Sequence, residues 1–224
     1  AGPDPGPAGL GPAGPDPGPA GPTAGRGRPV RQLGTFRWGL VPWWAKDPSV
    51  GSRMINARAE GLATKPAFRH ALEARRCLIP ADAFYEWQRL PAPSGRREGR
   101  QPWVVRLRGG QPMALAGLWE TWRDPGKPDA GRLRTCTIVT SRANGVVAPI
   151  HDRMPVVLAP EAWDRWLDPD VGADGVCDLL VPAPEDLFEV YPVSDRVNNV
   201  ANDGPELADP LPAGAPDQFR SGRY

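Results

Sequence analysis

Two histidines occur in this chain of 224 residues, and one of them, His151, stands in "PIHDRMPVVL" (149–158). Imidazole is the side chain best suited to moving protons near neutral pH. Pro149 and Pro155 bracket the segment and restrict its backbone. Asp152 and Arg153 stand where they could orient the ring or hold an anion. Glu86 lies in "AFYEWQ", between Tyr85 and Trp87. A carboxylate among aromatics loses hydration, which raises its pKa and suits it to act as an acid or base. An exposed glutamate on the outer face of an amphipathic strand would show the same pattern. In "RMINARAE" (53–60), Asn56, Arg58 and Glu60 alternate with apolar residues and would share one face of a strand. An amide there can orient a substrate and a guanidinium can hold a phosphate. A plain solvated face fits those residues as well. Trp43 and Trp44, after Pro42, read either as core or as a platform on which unpaired bases stack. His70, in "FRHALEARR", reads as structural.

Several chemistries have no residues to carry them. There is no HExxH, no cysteine pair, no phosphate-cradling glycine loop and no GxSxG elbow. No metal or other cofactor is expected. Cys77, Cys136 and Cys177 are an odd set without metal spacing, which argues against a disulfide framework and for a reducing, cytoplasmic setting. No run of 18 apolar residues and no secretion signal is present, so no membrane span is expected. Lys plus Arg is 27 against 26 for Asp plus Glu, so net charge alone points to no polyanionic partner. The cations are mostly arginine, however, which suits phosphates and flat π-surfaces.

The elements that must position these residues are mostly strands. "TFRWGLV" (35–41), "CLIPA", "AFYEWQ", "PWVVRLR", "MALAGLWETW", "LRTCTIVTS" and "FEVYPVS" (188–194) follow one another with turns between, at the spacing of an antiparallel sheet. "PAPSGRREGR" (91–100) reads as a polar turn. "TKPAFRHALEARR" (64–76) reads as a helix with Thr64 as N-cap, and "PEAWDRWLD" (160–168) as a short second one. The pattern predicts a single α+β domain, its sheets largely antiparallel. Residues 1–12 and 13–24 form a twelve-residue Pro/Gly-rich tandem repeat with almost no apolar surface to bury. Residues 1–28 are therefore expected to be disordered, 29–203 to be the folded domain and 204–224 a flexible tail.

Together "FRWGLVPWW", "INARAE", "FYEW", "IVTSRAN", "IHDRMPVVL" and "FEVYPVSDRVNNV" occur in the order found in the SRAP family, the SOS response-associated peptidases, and the chain resembles that family over roughly residues 30–200. The resemblance implies curled β-sheets with a few short helices around a basic cleft. It also implies abasic-site processing in the DNA damage response. Members bind single-stranded DNA, including at junctions with duplex, and attack the aldehyde of an abasic sugar with an N-terminal cysteine. Amine and thiol close a thiazolidine that crosslinks protein to DNA. By resemblance Asn56, Glu86 and His151 are catalytic. Arg58, Arg153, Trp43 and Trp44 contact DNA. The protein is expected to be a monomer, nucleoid-associated if bacterial.

The family's opening Met-Cys-Gly-Arg does not occur here, and Cys77, Cys136 and Cys177 cannot replace it, since a thiazolidine requires the amine and thiol of one residue. The chain as written is therefore expected to lack crosslinking activity. It is expected to be either a piece whose true start lies elsewhere or a member that keeps DNA binding alone. An N-terminal strand is expected to be missing from the sheet, leaving an unpaired edge. A thiol peptidase acting on proteins is a third reading.

Overall fold

The computed structural model describes residues 31–91, 99–127 and 129–212. The tandem repeat and most of the polar turn expected at 91–100 lie outside the described residues. Contacts divide the chain into a unit ending at Leu33 and a second from Gly34 onward, and the architecture below is that of the second.

Two sheets make up the unit. The larger is built on β7 (Leu133–Arg142), which pairs antiparallel with β6 (Met113–Trp122), and β6 in turn with β3 (Arg76–Ala81). On the other flank of β7 lie two short strands, β1 (Arg37–Trp38) and β2 (Asn56–Arg58), both parallel to it. Beyond the reach of β6, β8 (Arg153–Pro155) pairs antiparallel with the last residues of β7. The smaller sheet has the order β4 (Phe84–Leu90), β5 (Gly99–Leu107), β9 (Phe188–Pro192), all antiparallel. The expectation of an α+β domain with largely antiparallel sheets holds, with β1 and β2 as the parallel exceptions.

β6 is buried along nearly its whole length because both its faces are covered. One face packs with Leu72 of α1 (Arg69–Ala74), Trp166 of α2 (Trp163–Leu167), Val139 and Leu40. On the other, Met113 and Leu115 meet Val105 and Phe188 of the smaller sheet, joining the two sheets through a shared core. Each such side chain contributes about 1.5–3 kcal/mol by leaving water. Gly117 is needed in β6 because a Cβ there would stand 2.7 Å from Ile79 and 2.8 Å from Cys77 of β3.

Three elements differ from the sequence-based expectation. The strand of residues 35–41 shortens to Arg37–Trp38, because Gly39 turns with φ +107° and a Cβ on it would lie 2.5 Å from the Gly51 carbonyl oxygen. The helix of 64–76 shortens to Arg69–Ala74, and Thr64 is not its cap: its hydroxyl bonds the Gly61 carbonyl, and Phe68 holds the N-cap position. Pro66 disfavours helical backbone at Lys65, which delays the start. The tail is not patternless from 204, since residues 205–208 form a 3-10 turn with Leu207 buried, and Pro210 bridges to Val193. Among the described residues no helix is long and apolar enough to cross a membrane.

Arg76, read as the end of the helix, opens β3 instead. Its guanidinium is buried and donates only to carbonyls: Trp166 (2.6 Å), Leu72 (2.5 Å), Glu73 (2.7 Å), Val171 (2.7 Å) and Asp168. It thereby caps the C-terminal ends of α1 and α2 at once, where a cation is favoured. Arg76→Leu leaves these carbonyls without donors and is expected to destabilise the fold by about 3 kcal/mol or more, read as a lower Tm.

Candidate active site

The segment after β7 supplies the histidine. Asn144 starts a turn: its backbone carbonyl accepts from Val147 and Ala148, and the Val147 carbonyl accepts from Ile150 and His151. Val147 is buried, and the Asn144 amide bonds the Ala183 carbonyl at 2.9 Å. The turn is therefore anchored in the core and delivers His151 just before β8. β4 is an end strand of the smaller sheet, and it meets this turn twice. Gln88 Nε2 donates to the Pro149 carbonyl at 3.2 Å, and Glu86 Oε1 lies 3.9 Å from His151 Nδ1. Glu86 and His151 thus come from different elements, a strand of the smaller sheet and the turn leaving the larger one, 65 residues apart in the chain.

The Glu86 side chain is 21% exposed and that of His151 is 44% exposed. Burial pushes the Glu86 carboxyl above its ordinary 4.5, His151 pulls it back in part, and Asp152 adds a further upward push. The reading of Glu86 as a desolvated carboxylate is favoured over that of an exposed one. The Arg153 backbone N–H donates to His151 Nδ1 at 3.1 Å, which places the proton of the neutral ring on Nε2. When the ring is doubly protonated, its Nδ1–H faces the Arg153 carbonyl (3.2 Å), Asp152 (3.5 Å) and Glu86 (3.9 Å). Nε2 makes no hydrogen bond among the described residues. Glu86, Trp87, Arg89, Arg100 and His151 line a recess of about 210 Å³.

Asn56 and Arg58 alternate with buried Ala57 on β2, as the pattern predicts, and both are exposed. Their side chains make no hydrogen bond among the described residues. Arg153 is placed differently from expectation. Its two terminal nitrogens fork onto Glu60 at 2.7 and 2.9 Å, and one also donates to the Thr140 carbonyl at 2.6 Å. A phosphate at Arg153 would have to compete with this carboxylate, so its first role here is to tie β8 to the 3-10 turn Ala59–Gly61 that follows β2. The pair holds the Glu60 carboxyl at about 2, well below its ordinary 4.5.

Trp43 and Trp44 are 60% and 51% exposed, which excludes the core reading. Their neighbours Val41 and Ala45 are the buried residues, packed with Trp122. Sequence reasoning missed Trp38 and Ile55, also exposed and linked by Trp38 Nε1 donating to the Ile55 carbonyl at 2.8 Å. It also missed Arg89, Arg100 and Gln88; the only signal was that Arg89 stands just before the polar turn and Arg100 closes it. Cys77 lies on β3 opposite Gly117 of β6, half-buried, where desolvation pushes its thiol up to about 12, and Cys136 is buried. Both are unfit as nucleophiles. No three His, Cys, Asp or Glu side chains converge on a metal-sized site among the described residues.

Two outcomes follow from these charges. A raised carboxyl pKa favours the fold below pH 4.5 and loses that contribution as pH climbs through the raised value. Glu86→Gln is therefore expected to match the wild-type Tm in acid and to exceed it at pH 8 in thermal melts. Glu60 runs the other way, since its lowered pKa stabilises above 4.5 and the contribution disappears as pH falls towards about 2. Its carboxylate is half exposed, so Glu60→Gln is expected to lose about 1 kcal/mol or less at pH 7 and nothing at pH 2.

Comparison with known proteins identifies relatives of this chain. The family model described as SOS response associated peptidase (SRAP) matches residues 17–200. Abasic site processing protein YoqW of Bacillus subtilis (strain 168) is 46% identical over 177 residues, spanning 79% of this chain and 75% of the relative. Abasic site processing protein YedK of Escherichia coli (strain K12) is 34% identical over 179 residues, 78% of this chain and 73% of its own. A crystal structure of a Bordetella bronchiseptica protein superposes with a TM-score of 0.61 at 28% identity, covering 75% of this chain and 81% of that one. One from Bacteroides thetaiotaomicron gives 0.69 at 24% identity, over 79% and 75%, and shares the fold. With the family model matched over most of its length and relatives 34% and 46% identical over more than three quarters of it, the chain belongs to the SOS response associated peptidase (SRAP) family.

Proposed function

We propose that this domain recognises abasic sites in single-stranded DNA and provides the proton transfers by which an N-terminal cysteine, as the family resemblance implies, closes a thiazolidine on the sugar aldehyde. The observation that carries the reading is the Glu86–His151 pair, a desolvated carboxyl and a half-exposed imidazole 3.9 Å apart at an open recess. The relatives' name, abasic site processing protein, supports the substrate.

The chemistry has two proton demands. The abasic sugar must open from its cyclic form to the aldehyde, with a proton given to the ring oxygen and one taken from the anomeric hydroxyl. His151, with Nε2 free and Nδ1 held by backbone, suits that exchange. The amine then adds to the aldehyde carbon, and loss of water leaves an imine. The departing hydroxyl needs a proton, which Glu86 supplies in its acid form, favoured by burial. Addition of the thiol across the imine closes the ring, with one water lost overall. Asn56, exposed on β2, would hold the reacting groups, and Arg58 a phosphate beside them. Trp43 and Trp44 offer open π-faces to unpaired bases.

The test joins Met-Cys-Gly-Arg and a family-type N-terminal strand to Pro29 and incubates the product with single-stranded DNA carrying one abasic site. A band resistant to heat and denaturant is expected. Glu86→Gln and His151→Ala are each expected to slow its formation about a hundredfold. Trp43→Ala with Trp44→Ala is expected to weaken DNA binding about tenfold, with little change in the crosslinking rate at saturation. A folded product that binds DNA and never crosslinks would remove the catalytic roles and leave a DNA-binding module.

A further inference from the structure

β4 and β5 pair so that Arg89 lies directly opposite Arg100. Directly opposed side chains in an antiparallel pair stand with Cβ atoms about 4.5–5.5 Å apart, and like charges there destabilise the sheet. Both arginines are exposed, and neither makes an ion pair or hydrogen bond among the described residues. Other arginines here do find oxygen partners. Arg75 holds Glu120, Arg106 holds Glu189, Arg153 holds Glu60 and Arg165 holds Asp178. The carboxylate that shares a recess with Arg89 and Arg100 is Glu86, and it faces His151. Two arginines thus stand opposite one another at this recess, with no ion pair to offset their charge among the described residues.

We infer that Arg89 and Arg100 form a phosphate seat on the smaller sheet, which takes a backbone phosphodiester of the DNA strand next to the sugar held at Glu86 and His151. The inference rests on the proposed function and adds to it a second grip. Arg58 meets the strand from the larger sheet, and the arginine pair meets it from the smaller one. Glu86 and Arg89 are three residues apart on β4, about 10 Å along the strand and on opposite faces of its pleat. However, β4 is an end strand and both residues line the one recess, so the seat lies within reach of a neighbouring phosphate while the sugar occupies the recess. Arginine suits the task, because its planar fork can place two donors on one phosphate. The anion also relieves the repulsion between the two cations, so the arrangement is unfavourable for the free hairpin and favourable for the complex.

The test uses the full chain and a labelled single-stranded oligonucleotide with one stabilised abasic site, followed by fluorescence anisotropy across a salt series. Arg89→Gln with Arg100→Gln is expected to bind about tenfold more weakly at low salt, with the slope of log affinity against log salt shallower by about 0.7–1.4. Its Tm is expected to equal or exceed wild type, because the repulsion is gone. Arg89→Lys with Arg100→Lys is expected to keep the wild-type slope. A glutamine variant with wild-type affinity and slope overturns the seat, and so does a weakened variant whose Tm has fallen. A wild-type chain that binds no DNA overturns the proposed function and the seat together, whereas binding by wild type and glutamine variant alike removes the seat alone.

Discussion

The hydrogen-bond ladder of β7 is the constraint on which the site depends. Ile138 has Gly117 of β6 on one flank and Asn56 of β2 on the other, and two residues later Thr140 has Pro155 of β8 and Arg58. Buried backbone N–H and C=O groups must be paired, so a central strand holds its neighbours in one register. A slip of β2 by one residue would turn Asn56 and Arg58 into the core and bring Ala57 out. The bonds from Arg153 to Glu60 and to the Thr140 carbonyl add a side-chain tie between β8, β7 and the turn that follows β2. The polar face of β2 and the approach to His151 are therefore positioned by one backbone.

The second requirement is that two sheets meet. Glu86 stands on an end strand of the smaller sheet and His151 on the turn leaving the larger one. Their separation is set by the apolar contact of Met113 and Leu115 with Val105 and Phe188. Glu86 is itself largely withdrawn from water, and this burial raises its pKa, while the His151 side chain is 44% exposed. Desolvating Glu86 is a local loss of stability at pH above the ordinary carboxylate range.

Element types were largely legible. β6 was read residue for residue from its continuous apolar run, and Ala57 between Asn56 and Arg58 showed which face of β2 would be buried. Lengths were less legible. Gly39 and Gly51 approach so closely that β1 stops after two residues, and nothing local in "TFRWGLV" shows a contact twelve residues on. Arg76 carried a helix-end signature that was half correct. It does meet the last carbonyls of α1, but from β3, while also capping a helix about 90 residues later. Trp43 and Trp44 were ambiguous because tryptophan is at home both in cores and at wet interfaces, and composition does not distinguish them.

By itself the amino-acid sequence determined the fold class, the alternating polar face at Asn56 and Arg58, and the residue types on which the chemistry draws. These are local properties, written in periodicity and in side-chain functional groups. Only the tertiary structure decided that Glu86 faces His151, that Arg153 is held by Glu60, that both tryptophans stand in solvent, and that Arg89 confronts Arg100. Each of these depends on which segments become neighbours after the chain has folded. Burial, charge pairing and pKa are properties of that neighbourhood and of no single stretch of chain.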